Sequence, residues 1–285
     1  MSGTGRAAVR RPCPARCGIG RTPGRAGARP GGRAWPHIGC RIATAACARQ
    51  STTRPWGLAG MGELAGMFVL TCNAFSENAV ILHDGEGGAI VCDPGMSSSA
   101  EWARFESELA QRNWTPRAVL LTHAHLDHVL GCAGMVERYG LYPRLLAEDG
   151  PTYSMAPKAA ELYGVPMDPL PDLDPEPLRD GDTLRFGALE LEVRHAPGHA
   201  PGHVVFIDHA TRNVVGGDVL FRGSVGRTDL PGGDAATLAR SIEEVLFALP
   251  EDYTVWPGHG PETSIGEEKA GNPFVNAAGT GMMQR

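Results

Sequence analysis

The chain has 285 residues, 42% hydrophobic and 20% charged, an ordinary composition for a folded protein of one large or two small domains. Its charge is divided: residues 1–60 hold eleven arginines and no lysine, aspartate or glutamate, whereas the remainder carries 15 basic and 32 acidic side chains, a net −17. So acidic a domain argues against a nucleic-acid partner, and the lack of any run of about eighteen apolar residues argues against a membrane span.

Residues 1–60 are rich in Gly, Pro and Ala, show no apolar periodicity, and hold four of the seven cysteines, Cys13, Cys17, Cys40 and Cys47. Such a segment cannot bury enough surface to offset the entropy of ordering it, and it is expected to be disordered. It reads as a targeting segment, although Ser2 and Ser51 are its only serines. It also reads as a basic nucleic-acid arm, which glycine and proline in place of lysine and aromatics disfavour. The third reading, a start misassigned upstream of Met61 or Met67, is preferred because strand-like sequence begins abruptly at Met67-Phe68-Val69. The folded domain is therefore expected over residues 67–285. Its cysteines, Cys72, Cys92 and Cys132, lie far apart in apolar surroundings and read as buried thiols of a reducing, cytoplasmic setting.

Residues 68–72, 79–83 and 89–92 read as three strands, the last two separated by the turn Asp84-Gly85-Glu86-Gly87-Gly88. Ser98 and Glu101 form a capping-box pattern ahead of Trp102, Phe105 and Leu109 at helical spacing. Residues 118–121 are apolar and branched enough for a buried strand, and 129–139 resume as helix. Residues 143–182 carry many prolines around one helical stretch near 158–163 and read as an inserted lid. There Tyr153, Met155 and Tyr163 either line a pocket or pack the insert, with packing preferred. Strands follow at 183–186, 189–194, 204–208 and 214–217, then a helix capped by Asp234 and running to about 249, then a last strand at 253–256. Two successions of strands then helices imply two sheets face to face with helices outside, an α+β, four-layer αββα sandwich.

The chemistry is concentrated in Thr122-His123-Ala124-His125-Leu126-Asp127-His128. On an extended segment His123 and His125 share a side and can reach one metal ion; if the chain turns helical near His128, Asp127 and His128 point to a second. His195, His199 and His203 recur every four residues, so spacing alone does not choose among them.

The Thr-His-x-His-x-Asp-His run resembles the signature of the metallo-β-lactamase fold superfamily. Asp93-Pro94-Gly95, Ala196-Pro197-Gly198-His199, Gly217-Asp218 and Pro257-Gly258-His259-Gly260 are similar to its other motifs, in order. The resemblance implies that His123, His125 and His199 hold one divalent ion, that Asp127, His128 and His259 hold a second, and that Asp218 bridges both. A water shared by the ions would serve as nucleophile, with Asp127 orienting it. The expected ion is zinc, with iron or manganese open, because His/Asp sites accept all three. Asp93 and Thr122 are expected to orient the ligand loop, and Gly198, Gly217 and Gly258 to turn the backbone beside ligands. His195 and His203 are left as structural, and His37, His83 and His209 as ordinary.

Residues 217–234, with Pro257 to Thr263, Asn272-Pro273-Phe274 and Asn73-Ala74-Phe75-Ser76-Glu77-Asn78, are similar to the short bacterial glyoxalase II-like hydrolases. That implies hydrolysis of a small-molecule thioester such as S-lactoylglutathione, a reaction whose thiolate leaves without a strong general acid because its pKa is about 8 to 9. Longer members add a C-terminal helical domain that helps to bind glutathione, for which the residues after Phe274 leave no room, so the thiol carrier stays open. Arg227 is read either as a substrate anchor or as a structural arginine paired with Asp229 or Asp234. Gly226-Arg227-Thr228-Asp229 is also similar to the persulfide dioxygenases, which use a single iron held by two histidines and an aspartate; the hydrolase-like Pro257-Gly258-His259-Gly260 speaks against that alternative. The sequence does not fix an oligomeric state.

Overall fold

The computed structural model describes residues 66–279 and 281–284; the basic prefix of residues 1–60, and the disorder expected of it, lie outside them. The domain opens with the antiparallel meander β1 (Met67–Cys72), β2 (Glu77–His83) and β3 (Gly88–Cys92). Its second turn is fixed by Asp84, whose Oδ1 accepts the amides of Glu86 and Gly88, both at 2.7 Å. Helix α1 (Ser99–Arg112) starts on the expected capping box: the Ser98 hydroxyl accepts the Glu101 amide, and the Glu101 carboxylate accepts the Ser98 amide. β4 (Thr115–Leu120) returns parallel to β3, and the short β5 (Pro143–Arg144) completes a sheet ordered β1-β2-β3-β4-β5.

Between β4 and β5 lie α2 (Leu126–Val129) and α3 (Cys132–Tyr139), and α4 (Gly150–Tyr163) follows. The second sheet is built from β6 (Thr183–Phe186), β7 (Leu189–His195), β8 (Val204–Asp208), β9 (Asn213–Gly217), β12 (Thr254–Pro257) and β13 (Thr263–Ser264), ordered β13-β12-β9-β8-β7-β6. A two-stranded ribbon, β10 (Leu220–Phe221) with β11 (Ser224–Val225), precedes α5 (Ala235–Ser241), which continues through a π-helical turn over Ile242–Leu246. Helix α6 (Ile265–Gly271) closes the fold. Among the described residues no helix is long and apolar enough to cross a membrane.

Strand alternation assigns the layers. Val80 and Leu82 of β2, with Ile90 and Cys92 of β3, point at Leu191, Val193, Val204, Phe206 and Val215 of the other sheet. Their neighbours Ala79, Ile81, Ala89 and Val91 point the opposite way, onto Trp102, Phe105 and Leu109 of α1. Val205, Ile207, Val214 and Val255 likewise pack outward on Leu238, Ile242 and Ile265. This is the expected αββα sandwich. Each large side chain sealed in it, such as Phe105 or Phe206, contributes about 1.5–3 kcal/mol. Cys72, Cys92 and Cys132 are buried free thiols, as read.

Four local expectations are corrected. β4 stops at Leu120, so His123 and His125 stand on a loop and not on a strand. The Asp93 carboxylate takes the Thr122 amide, at 2.7 Å, and so ends the ladder. Helix resumes earlier than expected, at Leu126, and breaks where Gly131 gives its amide to Pro94 O, at 2.7 Å. Helix α4 runs fourteen residues despite Pro157, because that ring faces solvent while Tyr153, Ala156 and Ala160 anchor the other side. β13 and α6 were not anticipated: a two-residue strand and a seven-residue helix are too short for periodicity to reveal.

Candidate functional site

β3 and β4 are parallel, as are β9 and β12, so each pair delivers its C-terminal ends to one edge of its sheet. Asp93 follows β3, the segment His123–His128 running into α2 follows β4, Asp218 follows β9 and His259 follows β12, while His199 stands in the β7–β8 connection. The seven side chains expected as ligands are thereby brought together.

One group is His123, His125 and His199: His125 Nδ1 lies 2.8 Å and His123 Nε2 3.2 Å from His199 Nε2. A second is Asp127, His128 and His259, with His259 Nε2 3.1 Å and His128 Nε2 3.8 Å from Asp127 Oδ2. Asp218 stands between them: its Oδ2 is 3.5 Å from His199 Nε2 and 3.6 Å from His259 Nε2, and its Oδ1 is 3.5 Å from His128 Nε2. His128 Nε2 and Asp218 Oδ1 are buried and lack a hydrogen-bond partner. Buried polar atoms without partners require an explanation, and a cation satisfies both at once.

The outer contacts orient the rings. Asp93 Oδ2 accepts the Thr122 hydroxyl at 2.6 Å and faces His128 Nδ1 at 3.1 Å, while Thr122 Oγ1 lies 3.0 Å from His123 Nδ1. Asp93 and Thr122 thus sit where the sequence reading placed them. The Arg227 carbonyl accepts His199 Nδ1–H at 2.8 Å, which leaves Nε2 as a lone-pair donor. His203 stacks on His123 with ring centroids 4.7 Å apart, and its Nε2 accepts the Asp218 amide at 3.0 Å. His195 faces Pro201 O and stays outside the cluster. His83 stacks on Trp114, and His209 pairs with Tyr253 and Glu192. His37 lies outside the described residues.

Gly217 turns with φ +48°, but Gly258 does not need a left-handed backbone: a Cβ there would collide with Asp218 Oδ1 and the His128 ring, so close approach is what requires it.

Burial and mutual repulsion drive His123 well below the ordinary histidine pKa, and burial first, then His199, pushes His125 down to about 3. His199 is also lowered, chiefly by burial. His128 and His259 go the other way: burial opposes their charging, yet Asp127 and Asp218 raise both. Against burial, the His128 imidazolium holds Asp127 and Asp218 below the usual carboxylate range. Burial thus favours neutral nitrogen donors in the first group, whereas in the second the carboxylates favour protonated His128 and His259, and a cation would compete with those protons.

Three positioning residues escaped the sequence reading. Asp149 sits at the start of α4 yet does not cap it; its carboxylate takes the Ala124 amide at 2.6 Å, the Gly202 amide at 3.1 Å and the Thr152 hydroxyl at 2.9 Å. It thereby joins the two histidine-bearing loops. Asn78 donates its side-chain amide to the Pro257 and Gly260 carbonyls on either side of His259. Glu77 is fully buried without a hydrogen bond 4.0 Å from His128 Nδ1, and burial raises its pKa. Only the quoted Asn73–Asn78 motif signalled the last two; an Asp before a helix looks like any cap.

Arg227 pairs with Asp229 through two hydrogen bonds, of 2.7 and 2.9 Å, and also borders the cavity above the cluster. Tyr153 is buried and packs the insert, its hydroxyl donating to Pro171 O, whereas Met155 and Tyr163 line that cavity.

Comparison with known proteins gives the same architecture. Hydroxyacylglutathione hydrolase GloC of Haemophilus influenzae is 36% identical over 212 residues, 73% of this chain and 97% of that protein. The crystal structure of TTHA1623 in a di-iron-bound form is 41% identical with a TM-score of 0.65, covering 73% of this chain and all of that one. The BLEG-1 B3 metallo-beta-lactamase structure is 32% identical with a TM-score of 0.65, covering 74% of this chain and 99% of that one. The sequence profile of the metallo-beta-lactamase superfamily matches residues 72–259, and with the sandwich and the histidine–aspartate cluster in place, the chain belongs to that superfamily.

Proposed function

We propose that this superfamily member is a metal-dependent thioester hydrolase related to the hydroxyacylglutathione hydrolases. One observation carries the reading: two donor groups, His123/His125/His199 and Asp127/His128/His259, face each other across Asp218, and His125, Asp127, His199, Asp218 and His259 open onto a single cavity. The name of the GloC relative supports the thioester class. His123, His125 and His199 would hold one divalent cation, Asp127, His128 and His259 the other, with Asp218 shared. Zinc, iron and manganese all suit such donors, and the di-iron form of the TTHA1623 relative supports iron alongside zinc. Bound cations would supply an acidified water and polarise the thioester carbonyl.

The chain's own groups do the rest. Asp127 orients the water, and His199 is held in the donor tautomer by Arg227 O. Asp93 and Thr122 keep His128 and His123 in register. Water adds to the carbonyl carbon, the C–S bond breaks, and a carboxylic acid and a thiol leave; no oxidant is consumed.

Metal analysis of the purified protein, with a panel of thioesters, lactones, β-lactams and persulfides, tests the reading. Thioesters are expected to be cleaved best, and His125→Ala to lose metal together with at least a hundredfold of kcat/KM. Oxygen uptake on glutathione persulfide without thioester cleavage, or an active and fully metallated His125→Ala protein, would refute it.

A further inference from the structure

The candidate centre forms the floor of a cavity of about 600 Å³ whose walls are largely apolar. One wall is a face of α4: Met155, Ala159, Leu162 and Tyr163 fall at i, i+4, i+7 and i+8 and so share one side of the helix. The other side of α4 already has its partner in the core, through Tyr153, Ala156 and Ala160. Met155, Leu162 and Tyr163, by contrast, are 49%, 80% and 53% exposed. Phe221 and Leu230 line the cavity as well, and Phe75 meets Tyr163 edge to face with ring centroids 5.7 Å apart. Large apolar side chains left in water around a reactive floor mark a place where a ligand is desolvated.

The charges in the wall do not counter this. Lys158 is paired with Glu161 at 2.7 Å, and Arg227 is held by both oxygens of Asp229. Each cation has a carboxylate of the chain against it, although both pairs stand largely in water.

Resting on the thioester reading above, we infer that the preferred substrate carries a hydrocarbon acyl chain, bound along the α4 wall at Met155, Leu162 and Tyr163, rather than a short hydroxyacyl group. With the carbonyl over the floor, each added methylene leaves water for the wall, which favours the longer chain roughly fourfold per step until the wall is covered. Met155 and Leu162 offer a lactoyl hydroxyl no partner, so along that wall it gains nothing over acetyl, although Thr152 and Ser224 also line the cavity.

The test uses the metal-loaded full chain and N-acetylcysteamine thioesters of acetate, lactate, butyrate, hexanoate and octanoate, compared by kcat/KM. The expected result is a rise of at least tenfold from acetyl to hexanoyl, with lactoyl near acetyl. Leu162→Glu and Met155→Glu, at solvent-exposed positions where the fold tolerates change, should each reduce the hexanoyl-to-acetyl ratio several-fold. In parallel, calorimetry measures binding of the non-hydrolysable S-methyl and S-hexyl thioethers of the same thiol. Hexyl binding at least tenfold tighter supports the apolar wall even if no thioester is cleaved, in which case the thioesterase reading alone falls. Thioester cleavage that favours lactoyl, or is indifferent to chain length, overturns the inference while leaving the thioesterase reading intact. Equal binding of the two thioethers also overturns it.

Discussion

Asp149 ties together two loops of a centre that it does not itself enter. Its carboxylate is buried and takes two backbone amides, one between His123 and His125 and one beside His203. Removing it leaves two buried donors unpaired, each costing about 1–3 kcal/mol. Asp149→Ala should therefore lower stability by about 2–6 kcal/mol and, because the loops carrying His123, His125 and His199 lose their common tie, reduce bound metal well below that of the parent protein. Asp149→Asn keeps one acceptor and should recover part of both. Thermal unfolding together with metal analysis checks this, and an alanine variant with full metal content would show that the loops hold their shape unaided. Gly95 is a second such position, since a Cβ there would collide with Glu77 Oε2 and crowd the Asp127 carbonyl.

The elements differ in how far their own sequence determines them. The start of α1 is fully local: Ser98 and Glu101 satisfy each other's amides, and Glu101 also accepts the Asn73 amide at 2.7 Å. Ser98→Ala should cost about 0.5–2 kcal/mol, and Glu101→Ala should cost more because the link to the turn after β1 goes too. Denaturant unfolding of the two variants gives the order, and equal losses would mean that the Asn73 bond contributes nothing. Legibility follows the same division. Strands such as β7, whose Leu189, Leu191 and Val193 alternate with Glu190, Glu192 and Arg194, announce themselves by period. That seven particular side chains would gather at one place was legible because motif order carried it, even though His123 and His125 stand on a loop. What could not be read was set by distant contacts. Asp93 decides where β4 stops, Pro94 decides where α2 ends, and core packing on one face carries α4 through Pro157. Asp149 and Glu77 acquire their roles only from partners many residues away.

Across the whole molecule, the centre lies where the two sheets meet, with His123, His125, Asp127 and His128 from the first half and His199, Asp218 and His259 from the second. Backbone bonds already tie the halves there, Asn78 to Gly258 O and Val204 to Thr122 O, each at 2.8 Å. Cations shared between the halves would add a second tie, worth about 2.7 kcal/mol per ion at a hundredfold excess over Kd, or roughly 5–10 °C for a domain of this size. Protons compete for the same place. His128 and His259, raised by their carboxylates, stabilise the metal-free protein fully below about pH 6.5, and that contribution is lost as pH rises through their folded values. His123, His125 and His199, lowered mainly by burial, cost stability as pH falls below about 6.5, because the unfolded chain takes protons that the folded one refuses, down to about 3 for His125. Raising the pH thus removes the protons that tie the empty centre and at the same time frees His128 and His259 to bind cations. Chelation should therefore lower the thermal midpoint more at pH 8 than at pH 6, by several degrees, with protons released as metal is restored. Midpoints recorded with and without chelator at both pH values test this directly; an equal or larger drop at pH 6 would mean that protons and cations do not contend for His128 and His259.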